Sequence, residues 1–532
     1  MSEKLQLSTL LKNPAHSITV ALLVLFIVTV SWITLKTGPV VMTRFNPDPI
    51  CYLAGGWRVI QGQIPYRDFH TLVGTLFYIL VALGMLVSGF SVKAFTGINV
   101  IMFILLTFWA WFIAYRRMTL LNSLLASIVV GLIIAGTYHL GYSYKAVTYA
   151  NLYNRYAYAM LFIIMLEQLF IPRNARESDE LTGGFSTGFL MFALFFLKLT
   201  YFLAGAGIIL FRILMMGSSR KWFHGALAGA LTISLPLLIY MKFDIMSMFN
   251  DYHMISKVRG VKLFGSEILL PNVIPQLKAS LLLLLSFLLI SPFTISNNRK
   301  TITKKTMLAA ILLMFITAVF LNLTNWGDED LPLIALIAFI PLHYHQSTEK
   351  PENVIRDRTL VFLYLLFFLT NWSYFIKNTA SIFYASAWKA ETVSTLKLCS
   401  TPTLRDYYVS SYEGAWNSNY IDKVNEGLDL LRRNISEKDR VTTLNFEDPF
   451  NFGLLLKNPR GDSVSYHYTM NFDRITYWDP EKLFAETTMI MLCKDNDPFS
   501  STPLRTIYAD YLLSHFYLKA ETTRWMLLER KR

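Results

Sequence analysis

Residues 44–69 read RFNPDPICYLAGGWRVIQGQIPYRDF and follow an apolar run that extends from about His16 to Leu35. Within the stretch Ile50, Leu53, Ala54, Trp57 and Ile60 recur at helical spacing until Gly62. That period predicts an amphipathic helix, with Asp48 as its N-cap and Pro49 as its first-turn proline. Beside a membrane-crossing segment, such a helix lies in the interface rather than across the bilayer. Asp48 and Asp68 are thereby placed at a membrane boundary. A carboxylate there serves either as a cap or as a general base toward a hydroxyl group.

The composition sets the class. Of the 532 residues, 54% are hydrophobic and the mean hydropathy is +0.40, above the range of soluble domains. This describes a multi-spanning membrane protein. The net charge of +13 lies mostly in short loops between apolar runs, where it orients helices, so no nucleic-acid partner is expected. Cys51, Cys399 and Cys493 are the three cysteines. They form no CxxC pair, although Cys399 and Cys493 are able to pair with each other.

Further apolar runs lie near 96–114, 120–138, 156–171, 185–198, 201–216, 225–241, 279–295, 307–321, 331–342 and 359–376. Arg116 and Arg117, Arg173 and Arg176, Arg220 and Lys221, the Arg299–Lys305 cluster, and Lys350, Arg356 and Arg358 fall between them. Basic loops face the cytoplasm. If 72–90 crossed the membrane, an N-terminus inside would put every one of these loops outside. The run LVGTLFYILVALGMLVSGF at 72–90 is therefore assigned to the outer interface, although its uncharged length alone suits a span. About eleven crossings result, with the chain ending outside. Residues 377–532 carry many charges and a βα rhythm, which predicts an extracytoplasmic α/β domain following a transmembrane domain over 1–376, with a first external loop at 37–95. Strands are predicted at RVTTLNF (440–446), DSVSYHY (462–468) and RWMLLERK (524–531), with TTMIMLCK (487–494) following on from a helix. Helices are predicted near 420–433, after Pro449, at PEKLFAE (480–486) and at LRTIYADYLLSHF (504–516).

The polar residues of interest gather on outward segments. Arg155 sits among tyrosines in NLYNRYAYAM, a setting that also suits an interfacial anchor. Lys198 is the only charge between Phe185 and Leu210. An ammonium there costs a few kcal/mol unless it reaches water or a partner, so it either snorkels or holds an anion such as a lipid phosphate. The long segment 242–278, with Asp251, His253, Lys257 and Arg259, has the length of a lid or acceptor-binding element. Asp328, Glu329 and Asp330 stand in a turn before Pro332, as a solvated cap or, less suitably for consecutive residues, as ligands of a divalent cation.

Asp48, Tyr52, Gly62, Pro65, Tyr66, Asp68, Phe69, Gly74 and Leu76 together resemble the opening pattern of the GT-C membrane glycosyltransferases. The resemblance is to the branch of the protein O-mannosyltransferases and the lipid A aminoarabinose transferase. It is specific over about 44–76, weaker to Leu210, and architectural beyond. Pro49 replaces the acid that follows the aspartate in that pattern, and Thr75 replaces the proline of its G-P-L. The resemblance implies a polyprenyl-phosphate-sugar donor (dolichyl or undecaprenyl), a hydroxyl acceptor on a glycan, lipid or protein, and no obligatory cofactor. Asp48 would be the catalytic carboxylate. Lys198, Arg155, Arg67, Asp68, Tyr66 and Tyr201 would bind the donor phosphate and sugar. It also implies a multi-pass protein of a bacterial inner membrane whose site faces the periplasm or exterior.

Cytoplasmic loops are short and contain no Gly-rich phosphate cradle, so the donor must arrive already linked to lipid. Two alternatives share these features. One is a ligase or polymerase of the O-antigen type, using a diphosphate-linked donor. The other is a transporter or flippase for lipid-linked sugars, which would place polar residues along several spans rather than at their outer ends.

Overall fold

The structure, a computed structural model, describes residues 14–170, 177–263, 304–325, 332–333, 339–340, 354–410 and 419–531. Helix α1 (Pro14–Thr37) buries Leu23, Ile27 and Val30 on one face and exposes Ile18, Leu22, Leu25, Trp32 and Leu35 on the other. A row of large apolar side chains facing outward along the full helix is suited to hydrocarbon rather than water. Among the described residues, four helices are long and apolar enough to cross a membrane: Pro14–Thr37, Lys93–Tyr115, Asp179–Leu197 and Arg220–Tyr240. Thr75–Ser88, Leu120–Ala135, Leu199–Met215 and Ala309–Thr324 are shorter apolar helices. The predicted runs near 279–295 and 331–342 lie wholly or largely outside the described residues.

Helix α2 (Pro47–Ile60) and helix α3 (Thr75–Ser88) occupy the loop between α1 and α4 (Lys93–Tyr115). The His16 ring at the start of α1 lies 5.0 Å from Tyr115 at the end of α4. At the other end, Lys389 donates to the carbonyl of Thr37 and Lys93 pairs with Asp406 at 3.5 Å. Residues 38–92 thus leave and re-enter the bundle at one end. Helix α3, with 14 residues, is about 21 Å long at 1.5 Å per residue, shorter than the roughly 30 Å of a bilayer's hydrocarbon core.

The opposite end holds the basic loop. Arg117 pairs with Glu167 on α6 (Leu152–Leu169), Arg212 on α8 (Leu199–Met216) reaches Glu167 at 3.4 Å, and Arg116 meets Asp179 on α7 (Glu177–Leu197) at 2.8 Å. Thr119 caps α5 (Leu120–Ala135) by accepting from the Asn122 N–H. Helix α6 is buried on nearly every face, so it forms the axis of the bundle. Helices α7 and α9 (Arg220–Tyr240) pack through facing Gly-xxx-Gly steps, Gly184/Gly188 and Gly225/Gly229. A Cβ on Gly188 would stand 1.9 Å from the Ala226 carbonyl oxygen, so the approach requires glycine. Helices α10 (Ile245–Leu263) and α11 (Lys304–Thr324) follow.

Helix α12 (Val354–Thr392) carries the chain into the C-terminal segment, where α13 (Tyr420–Asn434) buries Ile421, Val424, Leu428 and Leu431 on one side. A four-stranded sheet has the order β1-β2-β4-β3. Strand β1 (Val441–Leu444) lies parallel to β2 (Met489–Cys493), and β4 (Trp525–Arg530) is antiparallel to both β2 and β3 (Phe516–Glu521). The connection from β1 to β2 contains α14 (Pro449–Gly453) and α15 (Pro480–Leu483).

Three sequence expectations change here. DSVSYHY forms no strand: its backbone bridges His70 through Ser463 and Glu447 through Ser465, so its partners are irregular segments rather than the sheet. LRTIYADYLLSHF divides at Tyr508 into α16 (Ser501–Ile507) and α17 (Ala509–His515). Strand β3 arises where FYLKAE gave no alternating signal, because it is the exposed sheet edge. All three cysteines are buried free thiols, so Cys399 and Cys493 are not paired.

Candidate active site

Helix α2 starts two residues before the predicted point. Asn46 occupies the N-cap with helical backbone angles and no side-chain cap bond, and Pro47 opens the helix. Asp48 therefore stands in the first turn rather than at the cap. Pro47 and Pro49 fit beside it because first-turn residues have no intrahelical N–H partner to lose. The Asp48 carboxyl is half-buried. Burial is the main cause that moves its pKa from an ordinary 3.8 up to about 7; its own backbone N–H pulls it down, and the charge of Glu447 pushes it further up.

Tyr52, one turn along α2, donates to the Ala150 carbonyl at 2.7 Å and meets Tyr153 edge-on at 5.9 Å. The Lys198 Nζ lies 4.9 Å from the Tyr153 ring centroid and 5.3 Å from that of Tyr201. It donates to Asn154 Oδ1 at 2.6 Å and to Asn325 Oδ1. Lys198 sits at the break between α7 and α8, in extended backbone at the N-cap of α8. A cation at a helix N-terminus is a natural anion contact. Arg259 on α10 approaches the same tyrosine: burial lowers its pKa and the charge of Tyr153 opposes this. Tyr153 thus joins three predicted residues: Asp48 through Tyr52, Lys198 through its ring, and Arg259 from α10.

Most of the other predicted residues are held by contacts of their own. Arg155 is 1% exposed and donates to the carbonyls of Ile133 at 2.7 Å and Tyr138, and to Asn378 Oδ1 at 3.1 Å. Its guanidinium serves the C-terminal end of α5. Asp68 accepts from the Ile64 N–H at 2.9 Å and from Arg67 Nε at 3.2 Å, which braces the 64–68 turn. Tyr66 takes a positive φ of 69° in that turn; its hydroxyl donates to the Val73 carbonyl at 3.1 Å and meets the Tyr252 hydroxyl at 3.1 Å. The Tyr201 ring packs edge-on against Tyr158 at 4.9 Å. On α10, Asp251 bonds His70 Nδ1 at 2.7 Å and accepts from the Thr71 N–H at 3.2 Å, and His70 stacks on Trp478. His253 and Lys257 face solvent. Asp328, Glu329 and Asp330 lie outside the described residues. Among the described residues, no three His, Cys, Asp or Glu side chains are grouped as metal ligands.

The sequence reading missed Glu447, Tyr407 and the pair Arg58–Asp462. Glu447 and Tyr407 reach the Asp48 turn from the C-terminal segment; the Tyr407 hydroxyl donates to the Asn46 carbonyl. Arg58 is fully buried and holds Asp462 in a fork, with Nη1–Oδ1 at 2.6 Å and Nη2–Oδ2 at 2.9 Å. No linear signal joins these positions.

No family model matches the chain, and no curated protein matches it. Among solved structures, it is similar to the crystal structure of ArnT from Cupriavidus metallidurans bound to undecaprenyl phosphate. The TM-score is 0.49 at 11% sequence identity, over 96% of this chain and 97% of that chain.

Proposed function

We propose that this chain is an inverting glycosyltransferase of GT-C type, moving a sugar from a polyprenyl-phosphate carrier to a hydroxyl acceptor at the outer face of a bacterial inner membrane. Asp48 carries the reading. It is a half-buried carboxyl whose pKa of about 7 matches what a general base needs near neutral pH, and it stands in the first turn of α2 rather than at its cap. The motif likeness over residues 44–76 points to the same residue.

In the proposed step, the acceptor oxygen attacks the anomeric carbon on the face opposite the lipid phosphate. Its proton passes to Asp48, the bond from the anomeric carbon to the phosphate oxygen breaks, and polyprenyl phosphate departs with the electron pair. Lys198 and Arg259 offset the charge that develops on the departing phosphate. Arg155 acts at one remove by fixing the end of α5. Tyr66 and Asp68 shape the turn in front of the donor, with Arg67, partly exposed beside Asp68, as a further cation for the donor.

The test uses purified protein, a radiolabelled undecaprenyl-phosphate sugar, and a membrane lipid and glycan extract as acceptor. Wild type transfers label with inversion, and Asp48→Asn loses about 10²–10⁴-fold in rate. Undiminished transfer by Asp48→Asn overturns the assignment. Turnover only with a diphosphate-linked donor would move the protein to the ligase or polymerase class. Movement of intact donor across the bilayer without transfer would make it a transporter.

A further inference from the structure

We infer that Phe243 and the first turns of α10 form a lipid-contacting surface whose partner is the acyl chains of the adjoining membrane leaflet. That surface is separate from the chemistry proposed for Asp48. It begins on α9, one of the helices long and apolar enough to cross a membrane. Phe223, Leu227, Leu231, Leu235 and Ile239 are all exposed on that helix, and a spacing of four sets them in one row along it. Such a row on a spanning helix faces hydrocarbon.

The row does not stop where the helix does. Phe243 stands four residues beyond Ile239 and is 63% exposed, and Met246 and Phe249 follow at 67% and 45%. A Schellman turn carries the chain round the corner: the Phe243 N–H donates to the Leu238 carbonyl at 2.8 Å, and the Lys242 N–H to that of Ile239 at 3.0 Å. Lys242 and Phe243 take positive φ of 53° and 59° there, angles that residues with a Cβ rarely adopt. Asp244 then opens α10 by accepting from the Ser247 N–H at 3.1 Å and its hydroxyl at 2.7 Å. Both sides of the corner are fixed by hydrogen bonds, so the apolar side chains are held on the outside.

Polarity along α10 sets the depth. Past Phe249 its exposed residues are Asn250, His253, Ser256 and Lys257. From Met246 to His253 the helix advances about 10 Å, which matches the depth to which interfacial helices bury an apolar face. Lys242, exposed at the corner, has a stem long enough to carry its ammonium to the headgroups. The opposite face of α10 is taken by protein. Met248 is buried, Asp251 bonds His70 and Thr71, and the Tyr252 hydroxyl meets that of Tyr66. Tyr240, at the end of α9, donates to the Gln63 carbonyl at 2.8 Å. One side of α10 thus rests on the 63–71 segment while the other continues the lipid-facing row of α9. An exposed apolar patch marks either a protein or a membrane contact, and that continuity selects the membrane.

The test attaches a spin label to single cysteines of the full chain in liposomes. It reads accessibility to oxygen, which concentrates in hydrocarbon, and to a water-soluble nickel chelate. The native cysteines are buried, and each labelled position is already exposed, so no packed side chain is displaced. Met246→Cys and Phe249→Cys are expected to give oxygen-to-chelate ratios severalfold above those of His253→Cys and Lys257→Cys, approaching that of Leu231→Cys on α9. Phe249→Trp, quenched beyond the wild-type level by lipids brominated on their acyl chains, is expected to give the same answer without a spin label. Ratios at Met246 and Phe249 equal to that of His253 would put the face in water and overturn the inference. Low accessibility to both reagents at those two positions also overturns it, and would make the face a contact with protein, a second copy of this chain included.

Discussion

At the scale of single residues, the structure separates side chains that are free to do chemistry from those occupied in holding the fold. Asp48 is in the first turn of α2 with its own backbone N–H as the hydrogen bond that lowers its pKa, whereas Asp68 has both carboxylate oxygens engaged by other residues of its turn. Asp48 gives a prediction in stability as well as rate. Its folded pKa of about 7 exceeds the unfolded 3.8, so the native state holds a proton the unfolded chain has released. Stability is then highest at low pH and is lost as pH rises toward about 7. Asp48→Asn flattens that slope in thermal unfolding across this window. The rate has the opposite sign: a base must be unprotonated, so transfer rises with pH through the same range. Lys198→Ala is expected to weaken donor binding about 10–100-fold, as loss of a charge-assisted hydrogen bond does, measured by titration with undecaprenyl phosphate in detergent. An unchanged affinity would leave Lys198 as a structural contact of Asn154 and Asn325.

At the scale of elements, periodicity and charge located most helices, and the differences follow from contacts between segments distant in the chain. The run 72–90 has the hydropathy of a span, yet α3 ends after 14 residues, and the contacts of Thr37 and Lys93 bring the two ends of residues 38–92 to one end of the bundle. DSVSYHY has the composition of a strand, but its hydrogen-bonding groups are used by His70 and Glu447. The α7–α9 contact makes a further prediction. A Cβ on Gly229 would approach the Phe185 carbonyl oxygen to 2.0 Å, so Gly229→Leu must force the helices apart. A loss on the order of 1–3 kcal/mol, typical of overpacking, is expected as a lowered thermal midpoint in detergent.

At the scale of the whole molecule, the C-terminal segment is fastened to the α2 region by buried polar contacts. Besides the Arg58–Asp462 fork, Trp57 Nε1 donates to the Leu456 carbonyl at 2.9 Å, and Gln61 Oε1 accepts from the Asn458 N–H at 2.9 Å. Removing one partner of a buried pair strands a charge, so Asp462→Asn is expected to cost about 3–5 kcal/mol, whereas Arg58→Met with Asp462→Leu recovers most of it; limited proteolysis at the C-terminal segment reads both. The overall topology is open to a labelling test. The three native cysteines are buried and give little background, so Ser143→Cys is expected to react with an impermeant thiol reagent from outside. Ser219→Cys, beside Glu180 at the Arg117 end, is expected to react only after the membrane is opened. The sequence by itself determined the membrane class, the end at which the basic loops gather and the candidacy of Asp48, because hydropathy, charge placement and a short motif are local properties. Tertiary structure alone decided that Tyr52 and Lys198 both meet Tyr153, and that Arg155 is occupied by the carbonyls of Ile133 and Tyr138. Those facts depend on which distant segments share a low-dielectric space, and no local pattern in the chain encodes that pairing.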